Sequence, residues 1–441
     1  MKKNQLTNHD KELLLALYQN YCQKINLLHI NLKHGILESD KVYEKIEELK
    51  KTFKNEILKL HPYPIKQMSG SDKRWYTYYF CEENKRHIIK KNSEEEVFQA
   101  LLKLYHLEEE PRTLKTLYGE FLEFKAMRLP KESGTVHRID CEYRKYYADD
   151  EIIDIPISRL TKEYIETWAY KLIRNHQLKK KQYYNLITIL KGTLEYAVYM
   201  RYIAKNPYDD VKINTKTFRQ DLKPKSSTQV YLVDEQPLVE EIAMQLFHET
   251  KDIAYLAIVL NFQIGLRIGE LVSLSYSDIE NDILHVQKEE VRYKQVLNDK
   301  AEFGTYKVEV VNHTKGYEDR KVYITPTALK LFEMIRNANE ENGFHDGDYI
   351  FVGKDGRHHI WTLDKRLLNC CKLAGLDKKS YHKIRKTYCS ALLENGVSLE
   401  DVRLAMGHQD ERTTLRNYVY SRHTESMKKQ LFSNALATKA I

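Results

Sequence analysis

The stretch from residue 207 to about 230 is the feature that most constrains how this chain folds. It has no apolar periodicity, and it carries Pro207, Pro224, Ser226 and Ser227 among lysines. Such a composition is typical of an exposed linker. Because a chain of 441 residues is also too long for one ordinary domain, we predict separately folded regions on the two sides of this linker.

The sequence patterns differ on the two sides of the linker. Before it, apolar residues recur mostly at the three- and four-residue steps of amphipathic helices, whereas helical and β-prone segments alternate after it. The predicted fold class is multidomain and mainly α with small β-sheets. The predicted regions are an N-terminal helical region at 1–66, a β-hairpin with a helix at 67–108, a helical domain at 111–210, the linker at 211–230 and a mixed α/β domain at 231–441.

Composition narrows the choice of partners and of compartment. Lys and Arg outnumber Asp and Glu by 71 to 63, giving a net charge of +8, which permits a polyanionic partner without requiring one. The six cysteines form no C-x-x-C pair and follow no secretory signal, so we expect free thiols in a reducing compartment. No run approaches the roughly 18 apolar residues of a membrane helix. We therefore expect a soluble, cytoplasmic protein with no membrane partner.

Two basic segments are candidates for contacts with nucleic acid. A small basic sheet backed by a helix can lie against a DNA groove, and lysines at one end of a helix suit phosphate contacts. Each segment also has a purely structural interpretation, as a hairpin or a helix end with a solvated basic face. The hairpin candidates are Arg74, Trp75, Tyr76, Lys90 and Lys91, and the helix-end candidates are Lys179, Lys180 and Lys181.

The C-terminal region holds several short motifs with chemically useful side chains. Arg267 directly follows a nearly continuous apolar helix, where its charge needs a partner such as Glu270 or a phosphate. Lys315 lies in a predicted β-turn, from which a mobile ammonium group can give a proton to a leaving oxygen. Each of these features is common by itself.

Three further motifs lie beyond residue 380. His382 and Arg385 are three residues apart, which places them on one face of a predicted helix. His408 follows the glycine that ends the next helix, and Tyr418 lies in the short helix after it. A histidine that exchanges a proton near neutrality beside an arginine that stays charged suits chemistry at a phosphodiester.

In this order, the motifs resemble those of the tyrosine recombinases, the phage integrase family, and in particular the integrases of phages and conjugative transposons. The resemblance is close over roughly residues 230 to 435, and five motifs in one order are far more specific than any of them alone. It implies a catalytic domain at 231–441, a helical core-DNA-binding domain at 111–210 and an arm-DNA-binding domain at 67–108. The motifs are Gly265-Leu266-Arg267-Ile268-Gly269-Glu270-Leu271, Thr314-Lys315, His382-x-x-Arg385, Met406-Gly407-His408, and Thr413-Thr414 ahead of Tyr418.

The resemblance also implies a role for each side chain. The two arginines would clamp the non-bridging oxygens of the scissile phosphate, His382 would take part in proton transfer, and His408 would hydrogen-bond the phosphate. Lys315 would protonate the leaving 5′-oxygen. Tyr418 would attack the phosphorus and form a 3′-phosphotyrosyl bond. Because that intermediate conserves the bond energy, no cofactor and no metal is expected.

The partners that the resemblance implies are nucleic acid and further copies of the chain. They are double-stranded DNA with core and arm-type sites, a homotetramer on two synapsed duplexes, and an excisionase or a host DNA-bending protein, all acting at the bacterial nucleoid. The function would be integration and excision of a mobile element. The tail from Glu425 to Ile441 could dock on a neighbouring subunit or pack on its own.

The sequence leaves three alternatives open, one for the nucleophile and two for the function. Tyr420 could replace Tyr418 as the nucleophile because both are phenols, although the run Thr413-Thr414-Leu415 favours Tyr418. A catalytically silent DNA-binding protein would explain the basic segments, but not why every catalytic position is filled. An enzyme like the type IB topoisomerases would share this chemistry and would relax supercoils instead.

Overall fold

The computed structural model describes residues 8–33, 36–70, 72–80, 85–105, 107, 111–220, 224–314, 319–408 and 410–436. These residues divide into two compact units. The first unit reaches to Gln220 and also includes Gln295–Gly304, and the second unit comprises the rest of the chain beyond Gln220. Across the described ranges, no helix combines the length and the apolar composition that crossing a bilayer requires.

The first unit begins with a helical pair, a small sheet and a third helix. These elements are α1 (Asn8–Lys33), α2 (Ser39–Leu60), β1 (Lys66–Gln67), β2 (Trp75–Phe80), β3 (Arg86–Lys91) and α3 (Glu94–Leu104). Apolar residues recur at three- and four-residue steps along α2, which predicts an apolar stripe, and this stripe buries Phe53 and Ile57. The three strands form an antiparallel sheet in the order β1-β2-β3. As the sequence predicts, α3 begins where the Ser93 hydroxyl accepts the Glu96 N–H.

Four further α-helices follow in the first unit. They are α4 (Leu114–Ala126), α5 (Thr135–Tyr146), α6 (Lys162–Asn175) and α7 (Lys180–Tyr199). Helix α4 begins at Thr113 and α6 at Thr161, and in each case the threonine hydroxyl accepts a backbone N–H of the first turn. The inward faces of the four helices form one apolar core, to which Ala301 of the segment Gln295–Gly304 also belongs.

The second unit is mixed α/β. Its helices are α8 (Glu235–Thr250), α9 (Leu256–Ile264), α10 (Ile268–Val272), α11 (Pro326–Asn342), α12 (Ile360–Leu373), α13 (Tyr381–Glu394), α14 (Leu399–Met406), α15 (Glu411–Asn417) and α16 (Glu425–Leu436). Helix α9 is apolar on every side, and it is therefore surrounded, with α8, α11, α12 and α13 packed against it. The described residues are mainly helical with small sheets, which confirms the predicted fold class.

The strands of the second unit pair differently from their order in the sequence. They are β4 (Ile279–Glu280), β5 (Ile283–Val286), β6 (Glu289–Tyr293), β7 (Lys307–Val311), β8 (Arg320–Tyr323), β9 (Val352–Gly353) and β10 (Gly356–Arg357). The β-prone segments 283–287, 306–311 and 321–324 predict three strands, which correspond to β5, β7 and β8. In the structure β5 lies between β4 and β8, while β7 pairs with the unpredicted β6. The chain between β7 and β8, where Lys315 was predicted to lie in a turn, therefore joins two different sheets.

Candidate active site

A buried carboxylate, that of Glu270, gathers three arginines of the second unit. Arg267 is the N-cap of α10, and its Nη1 donates to Glu270 Oε1 at 2.7 Å. Arg320 of β8 donates to both carboxylate oxygens, with Nη1 3.0 Å from Oε1. Nη1 of Arg385 on α13 lies 3.8 Å from Oε2. Glu270 and Arg385 are completely buried, so this ion cluster belongs to the interior of the unit.

The charges of this cluster do not balance. Burial alone would raise the pKa of Glu270, but the neighbouring guanidinium groups, Arg320 first among them, lower that pKa to about 2. The carboxylate is therefore ionised at neutral pH, and it offsets one of three positive charges. Because an uncompensated charge in a low-dielectric environment is costly, the cluster favours an anion beside Arg267, whose side chain is 26% exposed and is the most exposed of the three.

Two buried nitrogens of this region have no hydrogen-bond partner in the part of the chain that the structure describes: Arg385 Nε and His408 Nε2. Arg385 is otherwise well anchored, since Nη1 donates to the Gly265 carbonyl at 2.9 Å and Nη2 donates to the Met406 carbonyl. His408 Nδ1 lies 2.8 Å from the Thr414 hydroxyl. A buried polar group without a partner costs roughly 1–3 kcal/mol, so both nitrogens are suited to the oxygens of a ligand.

Tyr418 lies beside both histidines. It is the C-cap of α15 and is 7% exposed. Its ring centroid is 4.4 Å from that of His408 and 5.4 Å from that of His382. The ring of its rival, Tyr420, lies 4.8 Å from Nζ of Lys386. The geometry thus places the phenol of Tyr418 with the imidazoles that the sequence predicted as its neighbours.

Residues 238–425 match the phage integrase family. The chain is also 26% identical over 312 residues to a tyrosine recombinase XerC-like protein of Caldanaerobacter subterraneus subsp. tengcongensis, a match that spans 67% of this chain and 76% of that protein. The chain carries a tyrosine recombinase domain of the integrase type. Enzymes of this family cleave and rejoin DNA by means of a tyrosine nucleophile.

Two solved structures share the fold of the recombinase. The Tn1549 transposon integrase in complex with transposon right end DNA aligns with a TM-score of 0.53 at 20% identity, covering 74% of this chain and 100% of that chain. The lambda integrase tetramer bound to a Holliday junction aligns with a TM-score of 0.52 at 16% identity, covering 79% of this chain and 94% of that chain. The family resemblance that the sequence motifs gave is confirmed.

The recombinase brings together all of the predicted catalytic residues that the structure describes. The Glu270 carboxylate is paired with both Arg267 and Arg385, and the ring of Tyr418 lies beside the rings of both histidines. Lys315 lies outside the described residues. The roles that the resemblance implies for these six side chains remain predictions.

Sequence reasoning missed Arg320. An arginine at the start of a strand gives no signal of burial, yet this one is only 7% exposed. Besides Glu270, it reaches the end of α14, where its Nε donates to the Ala405 carbonyl at 3.0 Å. A Cβ atom at Gly407 would lie 2.9 Å from Arg320 Cδ, and Gly407 also has a left-handed backbone with φ 60°. Glycine at this position lets the arginine pass directly beneath the turn that carries His408.

Both histidines of the site are held neutral at pH 7. Burial, followed by the charges of Lys386 and Arg385, lowers the pKa of His382 to about 4. Burial, followed by the charges of Arg385 and Arg267, lowers the pKa of His408 to about 3. An anion that binds between these groups would offset the same positive charges and so raise both pKa values.

The neutral state of His408 makes the stability of the recombinase depend on pH. Because the pKa of His408 is about 3 in the folded chain and 6.5 without the fold, its contribution to stability is present above pH 6.5 and is lost as the pH falls toward 3. We expect the melting temperature to be lower at pH 5.0 than at pH 7.5, and His408→Gln to reduce that difference. The exposed His345 is the control: if His345→Gln reduced the difference equally in a thermal melt, the prediction would be wrong.

The predicted DNA-contact residues of the hairpin lie on two faces of the sheet. Side chains alternate along a strand, so Trp75 shares the face of Thr77, which is completely buried. Lys91 lies opposite Trp75 in the register of β3. Tyr76 and its cross-strand partner Lys90 lie on the other face.

Asp72, which belongs to none of the sequence motifs, offsets part of this positive charge. The Asp72 carboxylate accepts hydrogen bonds from Arg74 at 2.9 Å and from Lys90 at 3.4 Å. The hydrogen bonds from Arg74 hold the pKa of Asp72 well below its usual range. In the second basic segment Lys179 is the N-cap of α7, and both lysines that follow it, 180 and 181, are exposed.

Proposed function

We propose that this tyrosine recombinase catalyses the integration and excision of a mobile element, with Tyr418 as its nucleophile. Arg267 and Arg385 bind the non-bridging oxygens of the scissile phosphate, and His408 donates a further hydrogen bond to it. His382 takes part in proton transfer beside the phenol. Lys315 supplies the proton that the leaving oxygen takes up.

The proposed reaction consists of two transesterifications. In the first, the Tyr418 oxygen bonds to phosphorus and loses its proton, while the bond from phosphorus to the 5′-oxygen breaks and that oxygen is protonated. In the second, a 5′-hydroxyl of the partner strand attacks the 3′-phosphotyrosyl bond and releases the phenol. Each step forms one phosphoester and breaks one, so neither needs an external energy source.

One observation carries this proposal: the phenol lies beside two imidazoles, and the charges of the arginine cluster lower the pKa of both. Arg385 is presented through two backbone carbonyls, which fixes its guanidinium before any substrate binds. Preorganised donors of this kind stabilise the charge that develops on a pentavalent phosphorus. A protein that merely binds DNA would have no need to hold a tyrosine there.

We propose that two of the other regions bind DNA. Residues 67–108 would bind arm-type sites through the sheet, residues 111–210 would bind core sites, residues 211–230 would act as the linker, and residues 231–441 would carry out catalysis. Residues 1–66 have no assigned role. An excisionase or a host DNA-bending protein would set the direction of recombination at the bacterial nucleoid.

We propose that the recombinase acts as a homotetramer, because recombination joins two duplexes. The lambda integrase of the solved structure is a tetramer on a Holliday junction. Helix α16 supports the same for this chain, since it exposes Phe432 by 69% and Leu436 by 76%. Apolar side chains exposed together are typical of an interaction surface, and we propose that α16 docks on a neighbouring subunit.

The experiment that tests the function uses duplexes carrying the ends of the element that encodes this chain, nicked close to the expected cleavage site. The short fragment diffuses away after cleavage, so the covalent protein–DNA adduct accumulates. Absence of an adduct under conditions of tight binding would favour the catalytically silent protein. An adduct with relaxed plasmid, but without recombinant junctions on intact partner duplexes, would favour a topoisomerase.

The sheet offers a matched pair of lysines for testing the arm-site proposal. Lys90 and Lys91 are adjacent but lie on opposite faces of the sheet, and we propose that the face with Tyr76 and Lys90 contacts the arm-site DNA. We expect Lys90→Ala to weaken binding to arm-site DNA and to lower the slope of log affinity against log salt by about 1, as expected for one lost phosphate contact. Lys91→Ala should have a smaller effect in the same fluorescence anisotropy titration, and equal effects would contradict the assignment of the face.

A further inference from the structure

The main chain around Tyr418 is held by a side chain that the proposed chemistry does not use. Ser390 lies on α13 and is 1% exposed. Its hydroxyl donates to the carbonyl oxygen of Tyr418 at 2.9 Å and accepts the backbone N–H of Tyr420 at 3.2 Å. One hydroxyl thus contacts the backbone on both sides of Val419, immediately after the nucleophile.

The hydroxyl of Ser390 differs in the location of its acceptor from that of Thr387, which lies nearby on the same helix. A serine or threonine inside a helix commonly bonds the carbonyl one turn back, and Thr387 does so, with its hydroxyl 2.8 Å from the Lys383 carbonyl. The Ser390 hydroxyl instead donates its hydrogen outside its own helix, to the segment that carries Tyr418. Because it is buried, its loss would leave the Tyr418 carbonyl and the Tyr420 N–H without this partner.

We propose that Ser390 is a positioning residue, which fixes the nucleophile to the helix that also carries His382 and Arg385. The inference rests on the proposed function, in which the phosphate is bound from α13 and attacked by Tyr418. Ser390 sets the distance between the two partners without touching either DNA or the reacting atoms. A misplacement of about 1 Å in an attacking group can lower a rate on the order of 10²-fold, so one hydrogen-bonded anchor is sufficient to matter.

Other contacts keep the segment folded when this anchor is removed. The Tyr418 N–H donates to the Thr414 carbonyl at 3.0 Å, and the Tyr418 ring packs with Cys389, Val402 and Met406. Ser390→Ala also removes a single oxygen and adds no volume. We therefore expect this variant to loosen the segment rather than to unfold the domain.

Amide hydrogen exchange on the free recombinase tests the anchor without any DNA. In Ser390→Ala the Tyr420 amide should exchange on the order of 10-fold faster, because it has lost its acceptor. Thr387→Ala is the matched control, since it removes an equally buried hydroxyl from the same helix, one that accepts the Tyr231 N–H. Unchanged exchange at Tyr420 in Ser390→Ala, or equal acceleration in both variants, would overturn the proposal.

Adduct formation on the nicked duplex then tests the consequence for the reaction. We expect Ser390→Ala to form the adduct on the order of 10²-fold more slowly with unchanged DNA affinity, Ser390→Thr to restore much of the rate, and Thr387→Ala to stay within about 3-fold of wild type. A wild-type rate of adduct formation in Ser390→Ala would contradict the proposal. If the wild-type chain itself formed no adduct, the proposed function would fail, whereas the exchange result would still decide whether Ser390 holds the segment.

Discussion

Tyr418→Phe should abolish covalent adduct formation on the nicked duplex, with a loss of at least about 10⁴-fold. Only the attacking oxygen is removed, because the phenylalanine ring can keep the contacts that Tyr418 makes with His408 and His382. The affinity for the same duplex should stay within about 3-fold, since many phosphate contacts contribute to binding and this phenol is one group among them. Denaturing electrophoresis measures the adduct, and fluorescence anisotropy measures the affinity.

Tyr420→Phe is the matched control for this experiment. The two phenols lie two residues apart and are similarly buried, at 7% and 8% exposed, so non-specific effects of losing a hydroxyl should be alike. We expect Tyr420→Phe to form the adduct at close to the wild-type rate. An adduct that persists in Tyr418→Phe and disappears in Tyr420→Phe would assign the nucleophile to Tyr420 instead.

The elements that the sequence predicted well are those whose signals are local. Thr113, Ser398 and Gly407 mark helix boundaries through caps that involve only the neighbouring turn. Helix α9 was predictable because an apolar run of that length has to be buried. In each case the residues that decide the structure lie within a few positions of one another.

The strand pairing was less predictable because it depends on residues far apart in the chain. The sequence of β6 alternates too weakly to be recognised, with Glu289, Glu290 and Arg292 in five residues, and it becomes a strand by pairing with β7. In the same way Arg320 pairs with Glu270 across 50 positions. Nothing near Arg320 in the sequence indicates that its charge is neutralised in the interior.

The candidate site was predictable in its residue types and order, but not in its electrostatics. The motifs predicted Arg267, Arg385 and His408 as neighbours of a phosphate. They did not show that one carboxylate holds three arginines, nor that burial and these arginines lower the pKa of His408 to about 3. A pKa depends on the distances among all nearby charges, and such distances exist only after folding.

Arg385→Ala is the second variant for which we expect a large effect, a loss of about 10³-fold in the rate of adduct formation, which corresponds to about 4 kcal/mol. The side chain combines two anchors on backbone carbonyls with an Nε that has no partner among the described residues. Arg385→Lys keeps a positive charge, but a single ammonium group cannot reach both carbonyls and a phosphate oxygen together. We therefore expect lysine to restore at most about 10-fold of the lost rate.

A second buried arginine separates this loss from a general loss of stability. Arg357 is ion-paired to the buried Glu290 at 2.7 Å, so Arg357→Ala should destabilise the catalytic domain much as Arg385→Ala does. Because Arg357 takes no part in the proposed phosphate site, adduct formation by folded Arg357→Ala should stay within a few-fold of wild type. Single-turnover rates of adduct formation, measured well below the melting temperatures of both variants, distinguish a loss of catalysis from a loss of stability. Equal losses of rate in Arg357→Ala and Arg385→Ala would mean that Arg385 contributes only to the stability of the domain. A rate near wild type in Arg385→Lys would show that a positive charge alone is sufficient at this position.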